Sequence, residues 1–216
     1  MDIKIDTTTA LVFDLDDTLY NEIEYLKSAY WYICSELTEK DTEILYNHVF
    51  SIYRNGDNPF VYLAEKYDVS IDHLIFQYRN HFPTIKPFPG ILELLKGIKK
   101  RQGKIGIVTD GRTVTQSNKL KALGIWNLID CCIISESVGT EKPSKRNFKL
   151  IEKDLKVSKY YYFGDNFKKD FITPAYLGWH TVGLIDNGLN IHPNSCYNAL
   201  NSPESLIRSF NEVSVV

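Results

Sequence analysis

Short apolar runs alternate along this chain with longer stretches whose apolar residues recur at helical spacing. Five runs read as buried strands: Ala10 to Phe13, Ile105 to Val108, Cys131 to Ile134, Tyr160 to Phe163 and Thr181 to Ile185. They are rich in β-branched and aromatic side chains, as strands covered on both faces tend to be. Between the later runs lie helical patterns. Ile91, Leu94, Leu95 and Ile98 share one face, and Gly103 follows as a stop signal. Gln116 to Leu123 and Phe148 to Leu155 read the same way. This β-α-β-α alternation predicts an α/β fold with a mostly parallel sheet.

Residues 20–86 break the rhythm and contain no convincing strand. Ile23, Leu26, Tyr30, Ile33 and Leu37 fall on one helical face, and Ile44, Leu45, Val49 and Ile52 suggest a second helix. Asn58-Pro59 is an N-cap followed by Pro at the first helical position, opening a third helix through Phe60, Leu63 and Ala64. Ser70 caps a fourth, through Leu74, Ile75 and Tyr78. Pro83, Pro87, Pro89 and Gly90 then punctuate the return to the alternating pattern. The expected organisation is a core of residues 1–19 and 87–216 with an inserted helical unit, 20–86.

Composition narrows the class. The 216 residues carry 25 Lys+Arg against 27 Asp+Glu, a net charge of −2. A general nucleic-acid binder needs a basic footprint, which this balance does not supply. Cys34, Cys131, Cys132 and Cys196 have neither disulfide-framework nor zinc-site spacing, so free thiols in a reducing cytoplasm are expected. The first residues, MDIKIDTTTA, have no signal-peptide pattern. No apolar run approaches the roughly 20 residues that span a bilayer. A cytoplasmic protein without membrane or nucleic-acid partners is expected, as a monomer or homodimer. Its five histidines, His48, His73, His81, His180 and His192, form no HExxH pair.

The chemistry concentrates where apolar runs end. FDLDDTLY, Phe13 to Tyr20, carries a strand straight into Asp14, Asp16 and Asp17. Period-two geometry puts Asp14 and Asp16 on one side. Ligands of open α/β sheets bind at the carboxyl ends of strands. Two close carboxylates there can hold Mg²⁺ or divide nucleophilic and acid–base roles; a solvated acidic turn is the alternative. An EF-hand fails, because Leu19 and Tyr25 stand at its glycine and twelfth positions. The next strands end in Thr109-Asp110-Gly111, in the segment Ser135 to Pro143 that delivers Lys142, and in Gly164-Asp165-Asn166 with Asp170 beyond. Alone, each is a common turn, a surface lysine or a helix cap. Together they supply a nucleophile, an acid–base group, a hydroxyl, a cation and a metal ligand, the set that phosphoryl transfer requires.

On these residues the chain resembles the haloacid dehalogenase (HAD) superfamily of phosphohydrolases. DLDDTLY resembles its motif I, VTDGR motif II, EKPSKRNF motif III and FGDNFKKD motif IV. The insert resembles a type C1 cap, and the PFPG ending at Gly90 the usual return from one. The resemblance implies a Rossmann-like core and Mg²⁺ as cofactor. Asp14 would be the nucleophile that forms an aspartyl-phosphate. Asp16 would protonate the leaving alcohol and then activate water; from a free value of ~3.9 its pKa would have to rise, through water exclusion and neighbouring carboxylates. Thr109 and Lys142 would hold the phosphoryl oxygens. Asp165 would bind Mg²⁺ with Asp14 and the main-chain carbonyl of Asp16. Asp170 would orient a metal water or Lys142, with Asn166 beside it. Thr18, Asp110 and Gly111 would support the phosphate pocket, and Tyr20 and Asn21 would be contacts at the cap hinge.

The resemblance implies a phosphatase acting on a small phosphorylated metabolite, either a sugar phosphate or a nucleoside monophosphate. The second motif I aspartate, Asp16, speaks against dehalogenation. A phosphomutase of the β-phosphoglucomutase kind shares these motifs and is the alternative. A non-catalytic HAD-like interaction domain is a third reading, at odds with the presence of Asp14, Asp16, Thr109, Lys142 and Asp165. The aromatic residues Tyr25, Tyr30, Trp31, Tyr32, Tyr46, Phe50 and Tyr53 are expected mainly to pack helices, one or two of them facing the site as a platform for a base or sugar.

Overall fold

A computed structural model describes residues 1–192 and 201–216. Cys196 lies outside the described residues; Cys34, Cys131 and Cys132 are free thiols. In chain order the elements are β1 (Asp2–Ile3), β2 (Thr9–Phe13), α1 (Glu22–Leu37), α2 (Thr42–Arg54), α3 (Pro59–Tyr67), α4 (Ile71–Asn80) and α5 (Ile91–Lys100). They continue as β3 (Lys104–Thr109), α6 (Thr113–Ala122), β4 (Cys131–Ile134), α7 (Ser135–Val138), α8 (Lys145–Leu155), β5 (Lys159–Gly164), α9 (Ile172–Tyr176), β6 (His180–Leu184), β7 (Ser205–Ile207) and β8 (Ser214–Val215). Six strands form one parallel sheet in the order β4-β3-β2-β5-β6-β7. Strands β1 and β8 pair separately.

Strand alternation divides the core into two layers. Leu11, Phe13, Ile105, Ile107 and Phe163 pack on one face of the sheet with the α5 stripe, Ile91, Leu94, Leu95 and Ile98. Ala10, Val12, Val108 and Tyr162 pack on the other with Phe148, Ile151 and Leu155 of α8. Both faces are covered, which accounts for near-continuous apolar runs instead of strict alternation. The five expected strands are all present. Strand β7 and the β1–β8 pair were not anticipated: three residues and two residues are too short to show a period.

Helices α1–α4 enclose a separate apolar cluster of Ile23, Leu26, Tyr30, Ile33, Cys34, Leu45, Val49, Leu63 and Leu74. Asn58 accepts a hydrogen bond from the Phe60 N–H, and Ser70 accepts one from the His73 N–H. Ile44 departs from expectation: it is 72% exposed, and the buried stripe of α2 runs through Leu45 and Val49. The two segments joining these helices to the sheet are pinned together, Phe88 N–H donating to the Leu19 carbonyl at 2.8 Å. No helix among the described residues is long and apolar enough to cross a membrane.

Candidate active site

Parallel register aligns the strand ends. Phe13 pairs with Ile107 and with Phe163, and Thr109 with Ile134. Asp14, Thr109 and Asp165 therefore reach the same rim of the sheet. The Asp14 N–H extends the ladder by donating to the Phe163 carbonyl at 2.9 Å. Its side chain meets Lys142, whose Nζ lies 2.6 Å from Asp14 Oδ1 and donates to Asp170 Oδ1 at 2.7 Å. All three are buried. Burial would lower the Lys142 pKa, but Asp14 and Asp170 outweigh it and hold the ammonium well above its usual value. Burial pushes Asp14 up to about 7, against the pull of Lys142 and with repulsion from Asp170.

Asp170 is locked by its neighbours. Its Oδ2 accepts the Asn166 N–H, and a Cβ at Gly164 would lie 2.6 Å from the same oxygen. Glycine in the GD pair is thus what lets Asp170 close onto the strand and reach Lys142. Of the two groups it was expected to orient, Asp170 contacts Lys142. Asp165 accepts from the Thr18 hydroxyl at 3.0 Å and from the Asn190 amide at 3.0 Å. Burial, Asp170 and Asp14 hold Asp165 well above its usual value.

One oxygen each of Asp14, Asp165 and Asp170 lies within 4.8 Å of the others. Hard oxygen donors with excess buried negative charge suit a small divalent cation such as Mg²⁺. Asp170 is fully buried, whereas Asp14 and Asp165 border the open space of the site, so these two are the residues that would hold the ion. The Asp16 side chain is not in this group.

Asp16 corrects the expected pKa direction. Its Oδ1 accepts from Tyr20 OH at 2.6 Å and from Lys119 Nζ at 2.7 Å, and its Oδ2 accepts from Gln116 Nε2 at 2.9 Å. Burial would raise its pKa, but Lys119, with the Tyr20 and Gln116 hydrogen bonds, more than offsets this and holds it below the ordinary value. Sequence reading weighed burial and neighbouring carboxylates and missed a lysine 103 residues away. Gln116 also donates to Thr109 Oγ1 at 2.6 Å. Gln116 and Lys119 both belong to α6, where the structure buries them beside Leu120.

A cavity of about 200 Å³ opens among these groups, lined by Asp14, Asp16, Asp17, Glu22, Thr109, Asp110, Asp165, Asn166, Lys169 and His192. Four expected contacts, Thr18, Tyr20, Asn21 and Gly111, are not among its lining residues, and neither is Lys142, which lies behind Asp14. Thr18 is fully buried against Asp165, Tyr20 is fully buried against Asp16, and Asn21 accepts from Asn187 Nδ2. The Gly111 N–H donates to Ser135 Oγ, and Gly111 lines a separate surface depression with Arg112 and Ser135. Asp110 accepts from the Lys142 N–H and from Lys169 Nζ, which lies 2.9 Å away. Asp17 adopts a left-handed φ of 55° and accepts from the Glu22 and Ile191 N–H groups. It thereby joins the strand end, the start of α1 and the 186–192 segment. Glu22, Lys169 and His192 were not anticipated, because isolated charges and a lone histidine outside a motif read as surface. None of the seven aromatic residues singled out in α1 and α2 lines the cavity. Tyr30 packs on Tyr53 and Phe60, Trp31 on Tyr46, and Tyr25 on Tyr78.

The chain matches the haloacid dehalogenase-like hydrolase family over residues 11–183 and belongs to that family. It is 30% identical over 191 residues to a glyceraldehyde 3-phosphate phosphatase of Methanocaldococcus jannaschii, covering 81% of this chain and 84% of that one. It is 28% identical over 152 residues to a pyrimidine 5′-nucleotidase of Escherichia coli, covering 64% and 67%. In fold it resembles a magnesium-bound HAD-hydrolase of Bacillus subtilis, with a TM-score of 0.64, 19% identity, and 95% and 96% of the two chains covered.

Proposed function

We propose that this chain is a Mg²⁺-dependent phosphatase that hydrolyses short phosphorylated polyols or aldehydes through an aspartyl-phosphate on Asp14. The observation that carries this reading is the placement of Asp14 between Lys142 and the cavity, with Thr109 and Asp165 on the same rim. An Asp14 oxygen attacks phosphorus, and the bond to the leaving oxygen breaks. Asp16, ionised in the free site, takes up a proton as the anionic phosphate enters beside it and gives that proton to the leaving oxygen. Asp16 then takes a proton from the water that attacks phosphorus, and Asp14 is released. Lys142 and the Thr109 hydroxyl hold the phosphoryl oxygens. When bound, Mg²⁺ supplies positive charge that lets phosphoryl oxygens approach buried carboxylates. Helices α1–α4, within residues 20–86, act as the cap over a core of 1–19 and 87–216.

The lining favours a small substrate. Its described residues are all polar, and the cavity of about 200 Å³ lies below the roughly 300–1,000 Å³ usual for drug-sized ligands. Among the described lining residues His192 carries the one ring, which gives a nucleobase little to stack on. Six carboxyl groups against one lysine among the described lining residues disfavour a second anionic group on the substrate. The kinship with a glyceraldehyde 3-phosphate phosphatase points the same way. Glyceraldehyde 3-phosphate, ribose 5-phosphate, UMP and phosphoglycolate, assayed for phosphate release, test this reading. The three-carbon aldehyde should have the highest kcat/KM, at least tenfold above UMP and phosphoglycolate. A preference for UMP would make the chain a nucleotidase, and an isomeric phosphate in place of free phosphate would make it a mutase.

Metal removal has a signed consequence for stability. Asp14, Asp17 and Glu22 sit at about 7, about 6 and about 8, with burial the largest cause in each. A carboxyl raised in the folded state contributes stability that is complete below its unfolded value of about 4. That contribution is lost as pH rises through the raised value. Metal-free protein should therefore melt lower at pH 8 than at pH 5.5. Added Mg²⁺ should recover the loss at pH 8 by roughly 3 °C or more, the shift that about 1 kcal/mol produces at this size. An EDTA-treated sample equally stable at both pH values would contradict this.

A further inference from the structure

Helix α6 contributes two side chains that sequence reading left unassigned. Gln116 and Lys119 stand three positions apart, hence on one face. Both are almost fully buried, at 1% and 3% exposure. A buried lysine is costly unless paired. Lys119 is paired with Asp16, 2.7 Å away, and its Nζ lies 4.5 Å from the ring centroid of Tyr25 and 6.0 Å from that of Tyr20. Glu22 Oε1 is farther off, at 4.0 Å.

The contacts assign different tasks to the two oxygens of Asp16. Oδ1 receives both Tyr20 OH and Lys119 Nζ, which fills its two lone-pair directions. Among the described residues, Oδ2 receives Gln116 Nε2 alone, which leaves it one further direction. Asp16 lines the cavity, so Oδ2 is the oxygen left for a substrate. The Gln116 amide has two hydrogens, and its nitrogen reaches both Asp16 Oδ2 and Thr109 Oγ1. One side chain thus ties the acid–base carboxylate to the hydroxyl at the phosphoryl site. Gly111 has a φ of 137°, and a Cβ placed there would lie 3.2 Å from the Gln116 side chain and press on it.

We infer that Lys119 and Gln116 are positioning residues, which fix Asp16 so that Oδ2 faces the oxygen of the departing alcohol. This rests on the phosphatase reading given above. The geometry makes the effect depend on the leaving group. An alkyl phosphate must have its alkoxide protonated by Asp16, whereas dinitrophenolate departs without a proton. Hydrolysis of the aspartyl-phosphate needs Asp16 as base whichever substrate formed it.

The test is rapid-mix kinetics of Lys119→Met and Gln116→Met with glyceraldehyde 3-phosphate and with 2,4-dinitrophenyl phosphate. On the alkyl substrate kcat should fall about 10²-fold, the low end for general acid–base catalysis, with KM within about threefold of wild type. On the aryl substrate each variant should release a first equivalent of dinitrophenolate at close to the wild-type rate and then turn over slowly. Lys119→Arg, which keeps a cationic donor, should recover part of the loss. Equal losses in the first turnover of both substrates would mark a structural role and overturn the inference, as would wild-type kcat on the alkyl phosphate. Gln116→Met leaves the buried ion pair in place, so it decides the question even where Lys119→Met fails to fold. A wild-type enzyme inert toward both substrates would overturn the phosphatase reading itself.

Discussion

Asp14→Asn should abolish phosphate release, lowering kcat by roughly 10⁴-fold or more, as removal of a nucleophile does elsewhere, while leaving the protein folded. The substitution keeps the shape of the side chain but removes the attacking charge. Stability should move the other way. Asp14 is raised to about 7, so at pH 8 its buried charge works against the fold despite Lys142 at 2.6 Å. Neutralising it relieves repulsion with Asp170, and Lys142 keeps its hydrogen bond to that residue. Metal-free Asp14→Asn should therefore melt at or above the wild-type temperature at pH 8. Inactivity with a lowered Tm would attribute the loss to misfolding, and full activity would remove Asp14 from the reaction.

Lys142→Met should cost both activity and stability. The lysine is the cation shared by two buried carboxylates, Asp14 and Asp170. Removing one partner of a buried ion pair costs about 3–5 kcal/mol, because the remaining charge stays buried and uncompensated. At this chain length that is a Tm loss on the order of 10 °C. The loss should be smaller at pH 5.5 than at pH 8, since protonation quenches the exposed repulsion. Phosphate release should fall at least roughly 10²–10³-fold, the effect of deleting one preorganised donor to a developing charge. Thermal melts at the two pH values, with a phosphate assay, check all three expectations.

The contrast between Asp14 and Asp16 shows which parts of the site were legible in the sequence. Asp14, Thr109 and Asp165 each follow an apolar run that could only be a covered strand, and parallel strands end on one rim. Their convergence followed from local pattern plus one topological rule. The surroundings of Asp16 follow no such rule. Lys119 and Gln116 lie 103 and 100 residues away in sequence, on a helix whose polar residues read as a solvated face. Only packing turns that face inward, and with it reverses the expected pKa direction. Thr18, Tyr20 and Gly111 adjoin motif residues in sequence, but their hydrogen bonds are with Asp165, Asp16 and Ser135. The aromatic residues of α1 and α2 have helical spacing, and the packing they form follows from it. Strand β7 was illegible because register with β6, not a pattern of its own, makes it a strand.

The central claim is that the phosphoryl group passes through Asp14. Enzyme turning over glyceraldehyde 3-phosphate with Mg²⁺ can be quenched at a series of times and treated with borohydride, which reduces an acyl phosphate side chain to an alcohol. Peptide mass spectrometry then locates the reduced residue. The account predicts reduction at Asp14 in wild type, and, with 2,4-dinitrophenyl phosphate as substrate, more of it in Lys119→Met, where only the second step is slowed. Phosphate release with no trapped Asp14 at any quench time, or with the label on another residue, would contradict it.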